Sequence, residues 1–159
     1  MHRVLEAEIR GIKDDELDFF ISNVLRDEGR SFEEQTTVIQ IIEEIMNSDF
    51  WKEIESAKEK FVEVPFSLRL KPTDLGLPTS SGEWVILSGT NDLVYKSDGG
   101  WIIVDYKTDD VGERFADFIN YYSPQVKVYS RFWEEMSGEK VIKAGLYFIH
   151  KKHFVPVVV

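Results

Sequence analysis

The sequence predicts an α/β fold, and two changes of pattern support this prediction. Residues 1–59 carry apolar side chains at the three- and four-residue spacing of amphipathic helices. From residue 60 onward, alternating apolar and polar residues indicate β-strands, and four consecutive apolar residues at 101–104 indicate a buried strand. A chain of 159 residues is long enough to bury one core, so we expect a single domain of helices and strands.

Four helices are predicted in the front part of the chain. The first covers residues 1 to about 10. The second begins at the acids 14–16, because carboxylates in a first turn interact favourably with the helix dipole. Ser31 and Glu34 fit a capping box before the third helix, and a short fourth helix covers about 49–57. The inner faces of the second and third helices are predicted to consist of Leu17, Phe20, Ile21, Val24, Leu25, Val38, Ile41, Ile42, Ile45 and Met46.

The next part of the chain is predicted to contain three strands. The first, at about 61–70, alternates regularly, and Pro65 within it favours a position at a sheet edge. A loop rich in proline, glycine, serine and threonine follows at 71–82. The second and third strands, at about 84–95 and 101–107, are close enough in sequence to form a hairpin.

The last part of the chain is predicted to contain a helix and two further strands. Residues 113–120 are only weakly helical. A separate helix is expected to follow, with Ser123 as its cap and Pro124 at its first position, where proline is well tolerated. Two strands, at 141–149 and 154–159, complete the pattern.

The charge distribution restricts which partners the chain can bind. The net charge of −10 argues against a free-standing nucleic-acid binder of high affinity, because attraction to phosphate needs a basic surface. The charge is uneven, however: residues 1–63 carry 8 basic and 17 acidic side chains, whereas residues 121–159 carry 6 basic and 3 acidic ones. A local basic groove is therefore compatible with the acidic whole.

Composition also excludes several kinds of chemistry. The chain has no cysteine, which rules out disulfides, a cysteine-bound iron–sulfur cluster and a thiol nucleophile. No apolar run approaches the roughly 20 residues that a membrane span needs, and the first residues lack the apolar core of a signal peptide. We expect a cytoplasmic protein without a membrane partner.

The predicted hairpin brings acidic and basic side chains together. If Lys96 pairs with Trp101 across the turn, Asp92 lies directly opposite Asp105, and a different turn length would make the two acids diagonal neighbours. Lys107 lies two residues beyond Asp105 and so shares its face of the strand. Two carboxylates and one ammonium group are therefore expected at one end of the sheet.

Two interpretations of this cluster follow from the residues alone. Opposed carboxylates repel each other unless a cation offsets them, and their hard oxygen atoms suit Mg²⁺ or Mn²⁺, with the backbone carbonyl of Tyr106 as a further ligand. Lys107 beside such an ion could orient water and stabilise charge on a phosphoryl group. The alternative is a structural salt-bridge cluster, which is common on protein surfaces.

The motifs resemble those of a known nuclease family. Three segments carry the resemblance to the RecB-type nucleases of the PD-(D/E)XK superfamily, and to the C-terminal nuclease domains of AddA/RecB-like helicase–nuclease subunits: SGTNDLV at 88–94, WIIVDYKT at 101–108, and the pair Gln125 and Tyr129. Asn91 stands where this family usually has an apolar residue. The combination of the three segments, in this order, is more specific than any one of them.

The resemblance implies a fold and a domain organisation. We expect a restriction-endonuclease-like (PD-(D/E)XK) mixed central sheet flanked by helices, with an N-terminal helical segment. Residues 1–159 would form one nuclease domain, mostly helical over 1–59 and carrying the active site over 60–159, as a piece of a larger helicase–nuclease. The chain contains no phosphate-binding loop of the Walker A type, so the motor would lie elsewhere.

The resemblance also implies site residues. His2, Asp92, Asp105 and the carbonyl of Tyr106 would bind Mg²⁺ or Mn²⁺, and Asp92, Asp105 and Lys107 would be catalytic.

Three residues outside this set are also implied. Gln125 and Tyr129, which share one helical face, would contact DNA, and Glu63 matches the place of an accessory acid. The implied activity is that of a metal-dependent exonuclease in double-strand break repair and recombination. DNA, the helicase motor portion and a second subunit would be its partners.

Alternatives from other classes remain open. The domain could be a degenerate nuclease fold with a scaffolding or DNA-binding role, or a metal-dependent phosphoesterase for a small substrate. His150 and His153 point to opposite faces if both lie on a strand, so they are not expected to share a metal ion. Tyr121 and Tyr122 could stack on bases, but packing at the rim of the core is the simpler interpretation.

Overall fold

The computed structural model of the protein describes residues 1–71, 73, 84–109 and 112–158. Most of the loop predicted at 71–82 lies outside these residues. The predicted strands form one five-stranded sheet with the spatial order β1-β2-β3-β4-β5. The strands are β1 (Lys60–Leu70), β2 (Val85–Ser97), β3 (Gly100–Lys107), β4 (Val141–Phe148) and β5 (His153–Val157).

The sheet is mixed, because β3 and β4 run parallel while every other neighbouring pair is antiparallel. Parallel neighbours need a crossover connection, and the helix α5 (Phe115–Ser137) supplies it. The first strand lies at one edge, where Pro65 removes no hydrogen bond that a further strand would need. The prediction of an α/β fold with a mixed sheet flanked by helices is confirmed.

The N-terminal part is helical, as predicted. Its helices are α1 (His2–Ile9), α2 (Asp14–Asp27), α3 (Gln35–Met46) and α4 (Asp49–Ser56). The predicted capping box before α3 is present: the Ser31 hydroxyl accepts from the backbone N–H of Glu33, and the Glu34 carboxylate accepts from the backbone N–H of Ser31. A single 3₁₀ turn, Phe32–Glu34, leads from this cap into the helix. Within the described ranges, no helix is long and apolar enough to cross a membrane.

Two apolar clusters hold the helices against opposite faces of the sheet. One cluster joins α1–α4 to the sheet and includes Leu5, Ile42, Trp51, Ile102 and Val104. The other joins α5 to the sheet and includes Val126, Trp133, Trp101, Ile103 and Leu146. The central strand β3 contributes alternate residues to both clusters, which explains why its sequence is continuously apolar.

The helix between β3 and β4 corrects one prediction. The sequence pattern predicts a helix start at Ser123 and Pro124, but α5 is continuous from Phe115 to Ser137, with Pro124 inside it. The Ser123 hydroxyl donates to the carbonyl of Ile119 at 2.6 Å, a bond back into the preceding turn and not a cap of a new helix. Packing on both sides of the proline overrides the local signal, since Phe115 and Val126 both belong to the apolar cluster under α5.

Candidate active site

The hairpin of β2 and β3 positions the acidic cluster. Lys96 pairs with Trp101, which is the predicted register, and the last regular pair towards the site is Leu93 with Val104. One residue beyond that pair, Asp92 Oδ2 accepts a hydrogen bond of 2.7 Å from the backbone N–H of Tyr106. The end of the hairpin is therefore fixed by a side chain of one strand bound to the backbone of the other.

Lys107 is surrounded by groups that attract a cation. Its ammonium lies 2.5 Å from Asp105 Oδ2 and 3.4 Å from Gln125 Oε1. The same ammonium lies 3.9 Å from the centroid of the Tyr122 ring, within the range of a cation–π interaction. The side chains of Lys107 and Asp105 are only 12% and 3% exposed, so water screens these contacts weakly.

Burial and mutual repulsion perturb the two acids. Burial, followed by the charge of Asp105, raises the pKa of Asp92 to about 7, against smaller opposing effects of the Tyr106 N–H and Lys107. Burial also raises the pKa of Asp105, although the adjacent Lys107 lowers it. Perturbed carboxylates in a partly buried cluster are typical of functional sites, but structural networks can produce them too.

The first helix brings His2 to this cluster. His2 Nδ1 lies 3.7 Å from Asp92 Oδ2, and the imidazole packs edge-on against the Tyr106 ring at 5.8 Å between centroids. Burial, helped by the N-terminal ammonium and Lys107, lowers the pKa of His2 to about 4. The imidazole is therefore neutral near pH 7, which is the form that binds metal ions.

The donor atoms suit a hard divalent cation, but they do not form a complete side-chain ligand set. Carboxylate oxygens with one imidazole nitrogen are donors that Mg²⁺ or Mn²⁺ can accept. Among the described residues, no three or more His, Asp or Glu side chains are arranged to hold an ion. The structure brings His2 and Asp92 together, whereas Asp105 is paired with Lys107. The predicted metal ligands, including the carbonyl of Tyr106, stay a prediction.

Gln125 and Tyr129 extend the cluster onto α5. The Gln125 amide nitrogen donates to the Tyr129 hydroxyl, while its oxygen faces the ammonium of Lys107. Burial raises the pKa of Tyr129 to about 12, so the phenol keeps its proton at neutral pH. The structure therefore links Asp105, Lys107, Gln125 and Tyr129 in one chain of polar contacts.

Glu63 lies close enough to influence the acids. It stands on β1 with a φ of 53°, in the left-handed region, and its side chain is exposed. Burial and then the charge of Glu6 raise the pKa of Glu63, and Glu63 in turn contributes to the raised pKa of Asp92.

Tyr122 is a site residue whose sequence context indicated only rim packing. Besides its ring contact with Lys107, its hydroxyl donates to Asp109 at 3.4 Å. Tyr122 precedes Gln125 by three residues, a spacing that places both on one face of a continuous helix. The predicted helix start at Pro124 concealed this signal.

The second candidate histidine pair contributes no site. His150 lies in the 3₁₀ turn Ile149–Lys151, and His153 begins β5; both side chains are exposed.

The arrangement of an acid hairpin beside a Gln/Tyr helix agrees with a comparison with known families. The family description "PD-(D/E)XK nuclease superfamily" matches residues 1–157. The chain belongs to this superfamily. The RecB-type resemblance inferred from the motifs is thereby confirmed.

Curated relatives narrow the resemblance. Three ATP-dependent helicase/nuclease subunits of the AddA type are similar to this chain. The one from Geobacillus kaustophilus is 34% identical over 110 residues, covering 63% of this chain and 9% of the relative. The one from Oceanobacillus iheyensis is 28% identical over 141 residues (84% and 11%), and the one from Carboxydothermus hydrogenoformans is 36% identical over 104 residues (64% and 9%).

The chain spans about a tenth of the length of these relatives. A solved structure described as "Crystal structure of SSO0001" matches 97% of this chain and 72% of its own, with a TM-score of 0.40 and 11% identity; nothing further follows from that likeness.

Proposed function

We propose that this chain is the metal-dependent DNA nuclease domain of a larger protein similar to the AddA-type helicase/nuclease subunits. The reaction is hydrolysis of phosphodiester bonds. The observation that carries the proposal is the contact of Lys107 with both Asp105 on its own strand and Gln125 on α5, beside the perturbed carboxyl of Asp92. A purely structural ion pair needs neither the second acid nor the Gln/Tyr helix.

Each side chain has a role in this proposal. Mg²⁺ or Mn²⁺, bound by His2, Asp92, Asp105 and the Tyr106 carbonyl, would activate water and neutralise phosphate charge. Asp105 and Gln125 hold the ammonium of Lys107 in place, where it orients water or stabilises charge on the phosphate.

Tyr129 and Gln125 provide the DNA contact. The Tyr129 hydroxyl accepts a hydrogen bond from Gln125, so its own proton is free to be donated to a phosphate oxygen. Glu63 is an accessory acid that adds negative charge near the metal ligands.

The biological setting follows from the relatives. We place the domain, residues 1–159, in a larger cytoplasmic protein whose motor portion and partner subunit deliver DNA ends to the site. The process is exonucleolytic processing during double-strand break repair and recombination. An acidic domain with a net charge of −10 is well suited to such delivery, because its own attraction for DNA is weak.

The test is DNA cleavage by the chain and by two variants. We expect linear single- or double-stranded DNA to be cut with Mg²⁺ or Mn²⁺ and to stay intact with EDTA. Asp105→Asn and Lys107→Met should each lower kcat by at least about 100-fold, because both act on the reacting phosphate or on its neighbours. Lys58→Met, an exposed lysine away from the site, is the matched control and should cut normally.

Three outcomes would contradict the proposal. Cleavage that survives both site substitutions would mean that a contaminant or another site is responsible. DNA binding without cleavage under any metal condition would favour a degenerate scaffolding module. Hydrolysis of a small phosphodiester but not of DNA would favour a phosphoesterase for small substrates.

A further inference from the structure

We propose that the apolar cavity between the β1–β2 hairpin and α5 binds one unpaired nucleobase of the DNA strand that the site cleaves. This inference rests on the proposed nuclease function and adds a substrate feature to it. The cavity has a volume of about 390 Å³. Phe66, Leu87, Pro124 and Val128 supply its apolar wall, and Gln125 and Tyr129 supply polar groups.

The chemistry of the wall selects an uncharged guest. Among the described residues, none of the side chains that line the cavity is charged. A phosphate moved into it would lose its hydration with no cation to replace it, which is strongly unfavourable. A flat, uncharged ring with hydrogen-bonding edges fits better, because Gln125 and Tyr129 offer polar atoms beside an apolar surface. A nucleobase is the part of a DNA strand with this chemistry.

The shape of the cavity provides an aromatic surface. The rings of Phe66 and Tyr129 meet edge to face at 5.1 Å between centroids. Gly89 allows this arrangement, since a Cβ there would lie 2.8 Å from the Phe66 ring. Bases stack on such aromatic surfaces irrespective of their identity, so the proposed subsite binds bases without sequence preference.

The position of the cavity links its guest to the proposed chemistry. Gln125 lines the cavity, and its amide oxygen lies 3.4 Å from Lys107 Nζ. A nucleotide whose base enters the cavity thus directs its phosphate towards Lys107. A base that is paired inside a duplex cannot enter, so the subsite selects single strands or frayed ends.

Binding in EDTA tests the subsite without relying on cleavage. The probes are a fluorescently labelled single-stranded oligothymidine and an abasic strand of the same length, which keeps the phosphates and lacks every base. The wild-type chain should bind the oligothymidine on the order of 10-fold more tightly than the abasic strand, as measured by fluorescence anisotropy. Equal affinity for the two strands, or no binding to either, would overturn the inference.

A variant that fills the cavity locates the effect. Leu87→Trp should remove the preference for the oligothymidine and leave affinity for the abasic strand unchanged. The matched control is Ile86→Trp, on the next residue of β2, which is 73% exposed and does not line the cavity; it should keep the preference. If Leu87→Trp does not fold, as judged by thermal denaturation, Leu87→Phe makes the same comparison with less added volume.

The outcomes separate this inference from the proposed function. A chain that cleaves DNA but shows the same strand preference in Leu87→Trp and wild type retains the function and loses the subsite. A chain that never cleaves but loses its base preference in Leu87→Trp retains the subsite and loses the function. Loss of affinity for both strands alike in the folded variant would overturn the base-binding role.

Discussion

Asp92 concentrates the energetic conflict of the site in one side chain. Its carboxyl is 14% exposed, faces the charge of Asp105, and receives only one backbone hydrogen bond among the described residues, from Tyr106. Burial of a carboxylate without a cation favours the protonated form, which is why the pKa of Asp92 rises to about 7. The stability of the metal-free chain should therefore depend on pH through this residue.

The expected pH dependence has a definite sign. The folded chain binds the Asp92 proton more tightly than the unfolded chain, whose Asp92 has a pKa of 3.8. Between about pH 4 and pH 7 the unfolded state has lost a proton that the folded state keeps, so this residue's contribution to stability falls as pH rises through 7. The full effect is on the order of 4 kcal/mol, from about three units at 1.36 kcal/mol each.

Asp92→Asn should therefore be more stable than the wild type at pH 8, and the difference should shrink towards pH 4.5. Urea unfolding in EDTA at several pH values measures it. His2→Asn is an informative comparison, because the lowered pKa of His2 destabilises the fold at acidic pH: its advantage over the wild type should be largest near pH 4.5 and vanish at pH 8. A difference between Asp92→Asn and wild type that does not change with pH would contradict this account.

Asn91, the neighbour of Asp92, has a different problem. Its side chain is fully buried, and neither atom of its amide has a hydrogen-bond partner in the part of the chain that the structure describes. A buried unpaired amide costs about 1–3 kcal/mol. Asn91→Val should therefore raise the free energy of unfolding by about 1–3 kcal/mol, as measured by urea denaturation, because valine removes the polar atoms and suits a strand.

Asn120→Val is the matched control for this prediction. Asn120 is exposed on α5, where asparagine and valine have similar helix propensities, so the substitution should change stability by less than about 0.5 kcal/mol. A loss of stability in Asn91→Val with a neutral control would show that the amide is satisfied or that the site cannot accept valine.

At the level of elements, α5 holds an avoidable local defect. Pro124 has no N–H to donate to the carbonyl of Asn120, and its ring crowds that carbonyl. Proline inside a helix is about 3 kcal/mol less favourable than alanine, partly offset because proline also restricts the unfolded chain. The helix forms nevertheless, because both of its halves are held by the apolar cluster on the sheet.

Pro124→Ala should therefore stabilise the chain by about 1–2 kcal/mol in thermal or urea unfolding. Pro124 is exposed, so the loss of its ring removes little core packing. Lys127→Ala, one turn further along the exposed side of α5, should change stability by less than about 0.5 kcal/mol. An unchanged or lower stability of Pro124→Ala would mean that the proline ring supports the fold in its present position.

At the level of the whole molecule, local patterns predicted the hairpin well and the helix across it less well. The pairing of Lys96 with Trp101 follows from a short turn between two alternating strands, so the acid pair was predictable. The contact of Tyr122 with Lys107 was not, because it depends on packing that keeps α5 continuous through Pro124. The approach of His2 to Asp92 likewise depends on how the helical layer docks on the sheet, which the family resemblance indicated and residue spacing did not.

The charge of the whole molecule gives divalent cations two ways to act. With a net charge of −10 and 17 acids in residues 1–63, any salt should stabilise the fold slightly by screening repulsion. Ions bound at the proposed site add a specific term, about 1.4 kcal/mol when the free ion is tenfold above its Kd. These two contributions can be separated by comparing ions of different charge at equal ionic strength.

We expect millimolar Mn²⁺ or Mg²⁺ to raise the Tm of the wild type by a few degrees more than K⁺ at the same ionic strength, as measured by thermal denaturation. In Asp92→Asn the shift produced by the divalent ion should fall to that produced by K⁺, since the variant lacks a metal ligand but keeps the other 28 acids of the 29 in the chain. The shift within each protein is the quantity to compare, because Asp92→Asn changes stability by itself. Equal shifts by Mn²⁺ and K⁺ in the wild type, or an undiminished Mn²⁺ effect in the variant, would show that cations act on the acidic surface as a whole and not at the hairpin.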